Sequence, residues 1–220
     1  MYNTRQSRSF LGYAIRVISK NCVLLVYLNL NRPLMNRVFS SLVISFCFLS
    51  FTSFNFEVGQ VLDKYYDVPV YYNGHNFRNV NGRNVTPDGY NLGLKYQCVE
   101  YVKRFYYDVY DHKMPNSYGH AKELFDTTLG DVAFNESRGL MQYRNTRYEK
   151  PQEGDILVYG QSPNNPFGHT GIICEVGQNH VTLIQQNFGT KTRQQLNLAQ
   201  FQGIYTVADY DVLGWLRYPN

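Results

Sequence analysis

Two side chains in this sequence pair reactive chemistry with a suitable backbone setting. Cys98 stands in Tyr96-Gln97-Cys98-Val99-Glu100, ahead of apolar or aromatic residues at Val99, Val102, Phe105, Tyr106 and Val109. That three-four spacing predicts an amphipathic helix beginning near Gln97. A cysteine at its first position meets unpaired N–H groups and the positive end of the helix dipole, which favour a thiolate nucleophile. The plain alternative is a buried structural cysteine. His169 stands in Phe167-Gly168-His169-Thr170-Gly171, where a Pro/Asn-rich loop enters a strand. Flanking glycines leave an imidazole there little apolar cover, so it can reach across a cleft. The alternative is an exposed loop histidine.

A catalytic imidazole needs a partner that fixes its tautomer. The polar strand end Gln185-Gln186-Asn187 offers candidates, because a hairpin of 170–176 with 180–187 brings that end beside His169. Side chains alternate along a strand, which puts Gln185 and Asn187 on one face and Gln186 on the other. The same alternation turns Cys174 away from His169, as core filler. His75, His112, His120 and His180 lie in polar or loop contexts, and His120 with Glu123 is not metal spacing.

These residues need a helix and a sheet to hold them. Besides the helix from Gln97, a shorter one is expected over Ala121–Thr128. Strands are expected at 155–159, 170–176, 180–187 and 212–217. The stretch from Tyr72 to Leu94, rich in Asn and Gly, reads as loop with short extended pieces. Helices first and antiparallel strands afterwards predict an α+β domain.

The segments Gln97-Cys98-Val99-Glu100, Gly154-Asp155-Ile156-Leu157, Gly168-His169-Thr170-Gly171-Ile172-Ile173, Gln186-Asn187 and Leu213-Gly214-Trp215 together resemble a CHAP domain, the cysteine, histidine-dependent amidohydrolase/peptidase family. The resemblance runs from about Gly93 to Arg217. Within the family the likeness is to the amidase domain of bifunctional glutathionylspermidine synthetase/amidase. It implies a papain-like fold, with N-terminal helices packed on an antiparallel β-sheet. It implies Cys98 as nucleophile, His169 as general base, and an oxyanion hole from the Cys98 N–H with Gln97 nearby. The family commonly orients its histidine with a Glu sixteen residues on, where this chain has Gln185. Asn187 matches a polar residue that many members also use. A neutral amide can hold the ring, so the departure bears on how strongly the histidine is activated.

Composition sets the remaining bounds. The 220 residues are 44% hydrophobic and 17% charged, which excludes disorder. The net charge of +4 is unevenly spread. Residues 1–55 hold six cations and no acid, and without them fifteen Lys and Arg face seventeen Asp and Glu, a net −2. A body without a basic stripe is not expected to bind nucleic acid. From Met35, a short positive stretch, an apolar run from Val38 to Phe51 and small polar residues match a secretory signal. Residues 1–34 are then a doubtful upstream extension, 35–55 a signal peptide or membrane anchor, and 57–220 the catalytic domain. Only Cys98 and Cys174 lie beyond the signal, so neither a disulfide framework nor a zinc site is expected, and no cofactor.

The expected activity is hydrolysis of amide bonds by a secreted or periplasmic monomer. Peptidoglycan peptides are the first substrate class and a glutathionylspermidine-type amide the second. The third possibility is a non-catalytic module binding cell-wall peptides. Membrane contact is expected only through the N-terminal segment.

Overall fold

The computed structural model describes residues 13–19, 22–28 and 55–219. The chain divides into two units, 1–55 and 56–220. The first contains one antiparallel pair, β1 (Tyr13–Ser19) and β2 (Cys22–Leu28), running from Tyr13 opposite Leu28 to Ser19 opposite Cys22. The expected signal segment lies almost wholly outside the described residues.

The second unit opens with two short hairpins, β3 (Val61–Tyr65) with β4 (Val68–Tyr71), and β5 (Arg83–Val85) with β6 (Asn91–Leu94). The helix α1 (Cys98–Tyr110) follows, and then a single 3-10 turn, Ala121–Leu124. The remaining strands are β7 (Ala133–Asn135), β8 (Leu140–Arg144), β9 (Ile156–Tyr159), β10 (His169–Val176), β11 (His180–Gln185), β12 (Arg193–Phe201), β13 (Ile204–Val207) and β14 (Val212–Arg217). They form one antiparallel sheet in the order β13-β12-β11-β10-β9-β14-β8-β7.

Period-two patterning gives this sheet two buried faces. Ile156, Val158, Ile172, Cys174, Ile184 and Leu216 cluster with Tyr101, Val102, Phe105 and Tyr106 of α1. Their sequence neighbours Leu157, Ile173, Leu183 and Trp215 cluster instead with Leu196, Leu198 and Val207. Cys174 is thus core filler, as expected. The four α1 side chains are fully buried, each worth about 1.5–3 kcal/mol, against about 0.3–1 kcal/mol for a dipole effect at a helix end. Packing on the sheet therefore fixes where α1 begins, and with it the position of Cys98.

The expectation of several N-terminal helices on the sheet needs correction, because the described residues contain one α-helix. The segment before Cys98 forms two hairpins, the first turning back through Tyr66 and Asp67 in the middle of its apolar run. The turn at Ala121 stops at Phe125, whose backbone is extended (φ −98°, ψ 124°). The β3–β4 hairpin turns on Tyr66 and Asp67, both left-handed at φ 48° and 60°. Neither is the Gly or Asn that such turns usually show, so the sequence carried little signal there.

Candidate active site

Gln97 is the extended N-cap of α1, so Cys98 is its first helical residue. The Cys98 thiol is buried beside the backbone N–H groups of Thr170, Val99 and its own residue. Those donors favour the thiolate, but burial outweighs them and pushes the thiol up to about 11. Burial thus works against the helix start at this position.

His169 is the first residue of β10, paired with Tyr159 of β9. Gly168 makes that position possible. Its φ is +74°, and a Cβ there would lie 2.5 Å from the Tyr159 carbonyl oxygen and 2.9 Å from the Lys122 nitrogen. Gly171 clears space between strands, since a Cβ would lie 2.7 Å from the Ile184 oxygen. Gln185 stands opposite Gly171 in the β10–β11 register, and its Oε1 is 2.9 Å from His169 Nε2. An amide oxygen only accepts, so Nε2 carries the proton and Nδ1 keeps the lone pair. Burial lowers the His169 pKa, and the Gln185 hydrogen bond opposes this. Gln185 is itself buried, and its Nε2 has no partner among the described residues.

Asn187 goes elsewhere. The strand ends at Gln185, and Asn187 is left-handed at φ 65°, which breaks the alternation that would have aimed it at His169. Its Nδ2 donates to Gln97 Oε1 (2.6 Å) and to the Phe77 carbonyl (2.8 Å). Gln97 Nε2 in turn donates to the carbonyls of Asn79 (2.7 Å) and Phe77 (3.1 Å). Asn73 Nδ2 reaches Asn187 Oδ1 at 2.8 Å and the Asn79 carbonyl at 3.2 Å, and Asn81 Nδ2 reaches Asn73 Oδ1 at 2.7 Å. Side-chain amides from three segments thus form one lattice beside the thiol. Of the 73–81 segment the sequence showed only an Asn-rich composition.

Behind the lattice lies a buried polar network. Arg104 Nε donates to Glu100 Oε1 at 2.7 Å, and Gln186 Nε2 donates to Glu100 Oε2 (2.8 Å) and to the Gln97 carbonyl (3.1 Å). Gln186 Oε1 accepts from the Tyr71 N–H at 2.8 Å. The network joins α1, β4 and the end of β11, and its hydrogen bonds satisfy charges that would otherwise be costly to bury.

Gln97, Cys98, His169, Gln185 and Asn187 all line one cleft of about 1000 Å³. Arg78, Arg83, Tyr118, Phe167, Asp209 and Tyr210 complete much of its wall. The His120–Glu123 pair forms a helix cap, with the His120 N–H donating to Glu123 Oε2 at 2.8 Å.

Comparison with known proteins adds a family to this geometry. A family model described as CHAP domain matches residues 87–187. Trypanothione synthetase of Crithidia fasciculata is 29% identical over 166 residues, covering 70% of this chain and 25% of that protein. Bifunctional glutathionylspermidine synthetase/amidase of Escherichia coli (strain K12) is 28% identical over 138 residues, covering 57% of this chain and 22% of that protein. The chain thus spans about a quarter of the length of these curated relatives. The crystal structure of Ly7917 with the hydrolyzing product of MDP aligns with 55% of this chain and 52% of its own, at a TM-score of 0.34 and 18% identity.

Proposed function

Residues 87–187 are a CHAP domain, a hydrolase domain of the amidase/peptidase class, and from that premise we propose that the protein is a thiol-dependent amidohydrolase with Cys98 as nucleophile and His169 as base. One observation carries the reading. Cys98, at a helix start, and His169, with Nε2 bonded to Gln185 Oε1 and Nδ1 left as a lone pair, open on the same cleft.

In this mechanism His169 Nδ1 takes the thiol proton as Sγ attacks the amide carbonyl carbon. The resulting oxyanion is met by the Cys98 N–H at the head of α1. The C–N bond breaks as Nδ1–H protonates the leaving amine, and a thioester remains on Cys98. Water, deprotonated by the same Nδ1, then releases the acid and restores the thiol. The protons balance over the cycle, and the ring keeps its Nε2–H on Gln185 throughout. A cysteine at a helix start beside a sheet histidine is also the layout of papain-like enzymes, and we assign this domain to that layout.

Peptidoglycan peptides are the proposed substrate, consistent with export by the Met35–Phe56 signal pattern. A second reading, a small glutathionylspermidine-type amide, is favoured by the relatives, among them a synthetase/amidase for that compound. Incubating the full chain with purified peptidoglycan and with glutathionylspermidine, and identifying the released amines by mass spectrometry, separates the two. New amines from neither substrate would overturn both. Export has its own test. Protein expressed from Met35 should leave the cytosol and begin near Ser53, and full-length protein retained in the cytosol would support the second substrate instead.

A further inference from the structure

We propose, resting on the reading of Cys98 as nucleophile, that residues 76–80 form a substrate-operated latch on Gln97, and that Arg78 is the specificity-determining residue that opens it for a substrate bearing a free carboxylate. The starting point is the count of hydrogens on Gln97. Its Nε2 has two, and both go to backbone carbonyls, of Asn79 at 2.7 Å and of Phe77 at 3.1 Å. Carbonyls only accept, so this orientation of the amide is fixed, and Oε1 is occupied by Asn187 Nδ2 at 2.6 Å. In this state Gln97 has no hydrogen left for an oxyanion, although its backbone adjoins the nucleophile.

One of the two bonds is easier to surrender. The Phe77 bond is the longer, and Phe77 is an exposed residue of the cleft wall. Its carbonyl also accepts from Asn187 Nδ2 at 2.8 Å, so it stays satisfied when Gln97 leaves. A hydrogen bond to a developing oxyanion is charge-assisted and roughly twice as strong as one to a neutral carbonyl. The transition state therefore draws the Gln97 amide across, while Asn79 and Asn187 keep its other atoms in place.

The handle is the next residue. The exposed Arg78 guanidinium lies 5.3 Å from the Phe77 ring centroid and 6.0 Å from that of Phe167 on the facing loop. It forms no ion pair among the described residues, so the segment bridges the cleft mouth through contacts to aromatic faces. A carboxylate accepts two parallel N–H bonds from such a fork and displaces that weaker arrangement. Drawing Arg78 toward a carboxylate moves the adjoining Phe77 carbonyl, the one that holds the Gln97 hydrogen.

The test compares a short peptide amide carrying a free carboxylate with its carboxamide counterpart. We measure kcat and KM for the wild type, Arg78→Gln, Gln97→Ala and the double variant. The wild type should prefer the carboxylate by roughly tenfold or more, largely in kcat, as expected for a lost oxyanion donor. Arg78→Gln should reduce that preference to about twofold or less, and Gln97→Ala should remove its kcat component. The double variant should be no worse than Gln97→Ala. Strictly additive losses, or a preference that survives Arg78→Gln, would overturn the latch. A second readout does not need turnover. In the Cys98→Ala protein, the Gln97 side-chain amide NMR signals should shift on adding the carboxylate peptide, and should not shift when Arg78→Gln is also present. Unmoved signals in the Arg78 protein also overturn the proposal. Failure of the catalytic reading looks different: Cys98→Ala would keep hydrolysing both peptides.

Discussion

His169 Nε2 and Gln185 Oε1 lie 2.9 Å apart, an imidazole held by a neutral amide at the meeting of two strands. The amide fixes the tautomer but adds no charge. Its own Nε2 is buried without a partner, a donor left unsatisfied where a carboxylate would have none.

Replacing Gln185 with Glu should therefore raise kcat/KM at neutral pH by about 2–10-fold, on the order of 1 kcal/mol. A carboxylate beside the ring favours imidazolium, so the His169 pKa rises and the acid limb of the pH profile moves to higher pH. Gln185→Ala should lose activity, and Asn187→Ala should leave the acid limb unmoved because its side chain holds Gln97. A profile in which Asn187→Ala moves the limb and Gln185→Ala does not would reverse these roles.

The wild-type pH profile follows from two opposed shifts. His169 must be neutral to accept the thiol proton, and burial lowers its pKa, so kcat/KM should rise through a limb centred below the usual ~6.5. The thiol, pushed up to about 11, stays protonated across the neutral range. Activity should then hold level to about pH 9. A bell-shaped profile that falls again before about pH 9 would mean that the pair rests ionised, because loss of the imidazolium proton would then remove the active form.

Cys98 and Cys174 should differ in reactivity despite similar burial. Cys98 opens on the cleft, whereas Cys174 lies in the core beneath Arg193, with Nη1 3.6 Å from its sulfur. Because His169 can take the Cys98 proton and the cleft admits the reagent, iodoacetamide should modify Cys98 faster by about tenfold or more, as read by peptide mass mapping over time. Cys98→Ala should abolish hydrolysis, and Cys174→Ser should act mainly on stability. Equal labelling rates would remove the distinction.

Breaking the Glu100–Arg104 pair should be costly. Glu100→Ala leaves a buried guanidinium without its carboxylate, a loss of about 3–5 kcal/mol. Urea unfolding measures it directly. Because Gln186 holds both Glu100 and the Gln97 carbonyl, Gln186→Leu should lower kcat as well as stability.

Gly168→Ala offers a purely steric test. The added Cβ meets the Tyr159 carbonyl oxygen and the backbone is left-handed, a strain of about 1–3 kcal/mol. Relief requires moving the first residue of β10, which is His169. A fall in Tm should be accompanied by a fall in kcat, while a variant that loses stability alone would place the relief elsewhere.

The sequence showed the site wherever local rules governed. The three-four spacing located α1 and hence Cys98, and the hairpin placed Gln185 opposite Gly171, within reach of His169. It misled where one residue left the regular pattern, as at Asn187, whose left-handed backbone sends the side chain to Gln97. At Cys98 the sequence showed the helix-start donors but not the burial that opposes them. β12 went unseen because its apolar face is only Leu196 and Leu198 in a run of polar residues, and its partner β13 went with it. The amide lattice joins residues whose types say only "loop", and no spacing rule connects Asn73 with Asn187.

That lattice also sets a timetable for the growing chain. Its bonds link residues 90 apart (Gln97 and Asn187) and 114 apart (Asn73 and Asn187). Closing such loops costs entropy before any contact is returned, so pairings of this range form late in folding. Cys98 is synthesised before either of them, yet Gln185 and Asn187 reach its surroundings only after β10 and β11 have paired. A nascent or truncated chain ending before Gln185 therefore carries an unoriented imidazole and an unanchored Gln97. Under the proposed mechanism such a chain should be catalytically silent while it is being made.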